Sequence, residues 1–148
     1  MTTLARTLLL IAVAAVSHPL AAQSTGATPA AQPHTPKVYF HAPKTGAVVE
    51  PDFKVVFGLR DYGVAPAGVK LANTGHFHVL IDAEPGPAGS IVPADSSHRH
   101  FGAGQIETRL TLAPGAHTLL LVLADADHRV IGPPLTSKPI RITVRKKK

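Results

Sequence analysis

The chain has no cysteine and no tryptophan, and its single methionine is Met1. Without cysteine there is no disulfide to staple a small exported domain. There is also no thiolate for a blue-copper electron-transfer site, and without internal methionine a methionine-rich copper(I) carrier is excluded as well. Long apolar runs are missing: the best is Thr7–Val16, about half of the roughly 20 residues needed to cross a bilayer. No GxSxG elbow, glycine-rich phosphate loop or HExxH run is present, so the common local signatures of hydrolases, nucleotide-binding enzymes and metalloproteases are absent. Acidic residues number 9 against 15 Lys plus Arg, for a net charge of +6 with neutral histidines. The basic residues are dispersed and not interleaved with aromatics, so no nucleic-acid partner is expected.

The first residues read as an address. Met1–Arg6 carries a positive charge, the apolar run follows, and Pro19–Leu20–Ala21–Ala22 leads to Gln23 with small residues at the end. That order describes a signal peptide over residues 1–22, cut near Ala22, and predicts a periplasmic or secreted protein with no transmembrane segment. Residues 23–36, QSTGATPAAQPHTP, are small, polar and proline-rich and are expected to be a disordered linker, with His34 solvated in it. Residues 37–148 then form one domain that ends in the basic tail Arg145–Lys148.

Within that domain the pattern is all-β. Phe53, Val55 and Phe57 alternate with Lys54, Val56 and Gly58, and VYF, HFHVLID, QIETRLTL, HTLLLVLAD and PIRITV repeat the theme between turn-rich segments. Fourteen prolines and twelve glycines leave little room for helices. The expected architecture is a single antiparallel β-sandwich of immunoglobulin-like type with six or seven strands. Phe77, Val79 and Ile81 form its inward row, which turns His76 and His78 outward or towards a covering loop. TLLLVLA is apolar on both rows, as for a strand covered on both sides. Ile106, Leu110 and Leu112 make the apolar row of QIETRLTL.

Four of the nine histidines fall in GHFHVLID and HRHF. Side chains two apart on a strand share a face, so His76 pairs with His78, and His98 with His100. The candidate metal ligands are His76, His78, His98, His100 and His128, with His76, His78 and His100 at the centre and His98 and His128 in reserve. Asp82 is a further closing ligand. Imidazoles without sulfur suit copper(II) or zinc, and Asp82, Asp95, Asp125 or Asp127 could accept from their other ring nitrogens. His117, beside the PGA turn, is expected to bond a loop carbonyl.

The phrases VYFHAPKTGAVV, TGHFHVLID, IVPADSSHRHFGAGQIET and LTLAPGAHTLLLVLADADH, spread from Val38 to Val144, resemble DUF4399, a domain of unknown function in exported bacterial proteins. Its members carry a GHHH-type run, an NHLHFG-type phrase, a PGxHTL turn and a LADANH-type phrase. This chain departs from that pattern at Phe77, Ser97 and Asp127, which shifts the weight within the first run to His76 and His78. The resemblance implies a fold and a shared histidine pattern but no activity. Three functions stay open: a divalent-metal-binding domain, a metal-free structural or protein-interaction domain whose histidines fasten loops, and a metal-dependent enzyme. The protein partner is unknown.

Overall fold

The structure is a computed structural model and describes residues 35–146. The signal segment, most of the linker, His34, and Lys147 and Lys148 lie outside the described residues. The strands, in chain order, are β1 (Lys37–Ala42), β2 (Val48–Val49), β3 (Asp52–Arg60), β4 (Gly63–Val64), β5 (Thr74–Ile81), β6 (His98–Phe101), β7 (Glu107–Thr111), β8 (Gly115–Ala124) and β9 (Ile140–Val144). No helix occurs among the described residues.

Two sheets form. The smaller has the order β1-β3-β7, and the larger runs β2-β9-β8-β5-β4 with β6 also paired to β5. One edge of β5 is therefore shared: β4 pairs Thr74 and Gly75, and β6 pairs Phe77 to Leu80. The other edge takes β8 from His76↔Ala124 to Ile81↔Leu119. The expectation of purely antiparallel pairing is corrected at two places, because β2–β9 and β4–β5 are parallel. Both ladders involve two-residue strands, too short to show a period.

Alternation places the core. Phe53, Val55 and Phe57 of β3 are buried while Lys54 is exposed. They pack with Val38 and Phe40 against Phe77, Val79, Leu119, Leu121 and Leu123 of the larger sheet. The Phe57 ring stands 5.0 Å from both Phe77 and Phe101. Ile106 departs from its expected inward row: it precedes β7 and is 57% exposed, whereas Leu110 is 5% exposed. The opposite face of the larger sheet carries a second cluster of Leu80, Leu120, Val122 and Ala124, roofed by Val92 and Val130 from the loops. β5 and β8 are thus covered on both faces, and β8 is apolar on both rows for that reason.

Leu121 is fully buried in the central strand, so Leu121→Ala should destabilise the domain by about 2–5 kcal/mol. Urea unfolding followed by far-UV circular dichroism measures this. A loss of only a few tenths of a kcal/mol would mean that the two sheets do not share a tight core.

Candidate metal centre

The loop-covered face of the larger sheet holds the histidines. The backbone of Ile81 donates to Ser97 O at 2.8 Å, which makes Ile81 and Ser97 a hydrogen-bonded pair in the β5–β6 register. Alternation then makes His78 and His100 a non-hydrogen-bonded pair, the kind whose side chains stand closer together. Their ring centroids are 5.0 Å apart. His76 lies two residues along β5 on the same face, with its ring 4.9 Å from His78 and 5.0 Å from His100.

The fourth imidazole comes from a turn rather than a strand. Asp125 Oδ1 accepts from the backbone N–H groups of Asp127 and Arg129, both at 2.9 Å. The His128 N–H donates to Asp125 O at 3.0 Å and that of Asp125 to Arg129 O at 2.9 Å. This ring of bonds holds His128 at φ 63°, a left-handed conformation that costs a non-glycine residue about 1–3 kcal/mol. In exchange the His128 ring reaches the cluster, 4.9 Å from both His76 and His100.

The ring nitrogens meet. His76 Nε2 and His78 Nε2 are 3.0 Å apart, and His100 Nε2 and His128 Nε2 3.2 Å apart. His76, His100 and His128 each offer one nitrogen within 4.8 Å of the others. Zinc–imidazole bonds of about 2.0–2.1 Å imply tetrahedral edges of roughly 3.3–3.4 Å between ligand atoms, close to both observed contacts. His76 and His78 are 0% and 2% exposed, and their Nδ1 atoms have no partner among the described residues. His100 is exposed and His128 half-buried, so the cluster is closed from below and open to solvent on one side.

Burial is the largest cause that pushes the His76 pKa down to about 4, and the neighbouring His100 and His128 add to it while Asp125 opposes it. Burial again leads for His78, pushed down to about 3, with the other imidazoles contributing. His100 is lowered for the same two reasons, burial and then His128. The folded protein therefore keeps His76 and His78 neutral through the mildly acidic range, the protonation state that a metal requires.

The remaining expected residues are placed elsewhere. His98 shares the face of His100, but its Nδ1 pairs with Asp95 Oδ1 at 2.8 Å. Asp82 turns to His117: its Oδ2 lies 2.7 Å from His117 Nδ1, and its Oδ1 accepts the Thr118 N–H at 2.7 Å. His117 Nε2 reaches Ala113 O at 2.9 Å, which is the loop-carbonyl bond expected of it. Asp127 pairs with Lys70 at 3.2 Å. One positioning residue escaped the sequence reading. A Cβ on Gly102 would fall 2.4 Å from His100 Nε2, so only glycine leaves room for that ring. The signal was present as the glycine two residues after His100.

Fold and site define an all-strand domain that buries a histidine cluster beneath its loops. The chain belongs to the family described as domain of unknown function (DUF4399), whose model matches residues 55–145. Among curated proteins none matches the sequence. The fold resembles part of the endo-beta-1,4-mannanase from Thermotoga petrophila, with a TM-score of 0.50 and 17% identity over 79% of this chain and 21% of that one. The chain thus spans about a fifth of that enzyme's length. The fibronectin(III)-like modules of Clostridium thermocellum CbhA align at a TM-score of 0.37 and 16% identity, over 75% of this chain and 99% of theirs.

A group with a depressed folded pKa that is basic binds protons in the unfolded chain first, near 6.5. Protonation then favours unfolding. The contribution of His76 and His78 to the stability of the metal-free protein should be fully present above pH 6.5 and decline as the pH falls towards about 4 and 3. Replacing the buried ring in His78→Leu should flatten this acid limb. Thermal melts of both proteins across that range test it, and parallel acid limbs would sink the assignment.

Proposed function

We propose that the protein is an exported metal-binding domain in which His76, His78, His100 and His128 hold one divalent ion, copper(II) or zinc. The observation that carries this reading is that His76, His100 and His128, from β5, β6 and the 125–129 turn, each offer a nitrogen within 4.8 Å of the others, with His78 Nε2 joined to the group through His76 Nε2 at 3.0 Å. His76 and His78, neutral and fully buried, gain little from facing other imidazoles. A cation between them would turn their lone pairs into bonds. The ligand set contains nitrogen alone, which suits copper(II) and zinc and disfavours copper(I). His98 and His117 act differently in this reading: each is bonded to a carboxylate and fastens a loop.

Two sheets that share a core support an immunoglobulin-like sandwich as the scaffold. The N-terminal pattern supports periplasmic or secreted placement. Intact mass of the exported protein is expected to show a chain starting at or beside Gln23, and a full-length chain kept in the cytoplasm would contradict it.

Calorimetric titration of tag-free protein with copper(II) and with zinc is expected to give one ion per chain. Binding should vanish in the His76→Ala, His78→Ala double variant and survive in His98→Ala. Gly102→Ala should weaken it about tenfold or more by displacing the His100 ring, since a metal site tolerates little misplacement of its ligands. Wild-type protein that takes up neither ion, or a double variant that binds unchanged, overturns the proposal.

A further inference from the structure

Beside the histidine cluster, at the free edges of β6 and β7, lies an open groove of about 580 Å³ whose lining includes Asp95, His98, Arg99, His100, Thr108 and Arg109. Its charges are unequally used. Asp95 Oδ1 already accepts from His98 Nδ1 and from the Ser97 N–H, both at 2.8 Å. Arg109 Nε lies 3.1 and 3.0 Å from the two Asp52 carboxylate oxygens, and its Nη2 donates to Asp52 O at 3.0 Å. The Arg99 guanidinium forms no hydrogen bond or ion pair among the described residues. The groove therefore presents an uncompensated guanidinium whose planar fork fits two oxygens of a carboxylate or phosphate at once.

The rest of the lining fits an organic anion better than a bare ion. Phe101 and Leu110, both core residues, underlie the groove, and Thr108 and Thr111 add polar groups to its lining, a mixture of the kind found in small-molecule sites. The groove is also larger than one phosphate would fill. We propose that this groove binds a small organic oxyanion, a carboxylate or a phosphate ester, with Arg99 as its anchor.

The site goes beyond the metal reading and does not need it, but the two would be coupled. His100 belongs both to the groove and to the cluster. A divalent charge there would attract the anion, and by linkage the anion would tighten the metal in equal measure.

The test uses the full exported chain, stripped of metal, titrated calorimetrically at low salt with citrate, glycerol 3-phosphate and inorganic phosphate. Saturable binding of citrate or glycerol 3-phosphate, tighter than that of phosphate, is expected. Arg99→Ala should weaken it about tenfold or more, as for a lost charged hydrogen-bond partner, and Arg99→Lys by less. Circular dichroism should show both variants folded, and their copper(II) or zinc stoichiometry should be unchanged. Binding by citrate alone identifies the carboxylate source, and binding by glycerol 3-phosphate alone the phosphate ester. Failure of all three anions to bind wild type, inorganic phosphate binding as tightly as the organic anions, or equal binding by folded Arg99→Ala overturns the proposal. Anion binding without any metal uptake would leave the groove standing and defeat the metal reading instead.

Discussion

The double burial of β5 is the constraint from which the rest of the structure follows. Its odd row, Phe77, Val79 and Ile81, closes the core against the smaller sheet. Its even row carries His76, His78 and Leu80, which are no less buried. Desolvating two imidazoles is unfavourable unless their nitrogens are satisfied. The residues brought over them, His100 from β6 and His128 from the 125–129 turn, add imidazole rather than carboxylate, and the Nδ1 atoms of His76 and His78 keep no partner among the described residues. Asp125, the nearest acid to act on His76, spends Oδ1 on backbone N–H groups of the turn.

Position along β5 separates two kinds of histidine chemistry. At one end His76 and His78 are held neutral among other imidazoles. At the other, Asp82 bonds His117 and raises its pKa, so that ring, bonded at both nitrogens, favours the charged form and ties the start of β8 to β5. The same residue type thus serves as a set of lone pairs in one place and as a clamp in another. Neighbouring carboxylates decide which: His117 and His98 have one, and the clustered rings bond none.

His100 is exposed and leaves the cluster open to solvent on one side. Glycine at 102 permits that arrangement, since the His100 ring lies where a larger residue's Cβ would be. The groove that Arg99 lines also takes in His100, although the two side chains alternate to opposite faces of β6.

Much of this was legible in the chain itself. Period-two alternation fixed β3, β5 and β9, the two apolar rows of TLLLVLA marked β8 as covered on both sides, and the one-residue spacing of His76 and His78 put them on one face. These are local consequences of strand geometry, and one sequence suffices for them. Three-dimensional packing decided the rest. Only the register of β6 on β5 separates His100, opposite His78, from His98, opposite Leu80 and within reach of Asp95. Only the Asp125 turn brings His128 back across 50 residues to His78. The two-residue ladders of β2 and β4 are likewise set by long-range pairing. Strand pattern tells which way a side chain points, but what it meets there depends on which other segment packs above it, and that is settled by the tertiary fold.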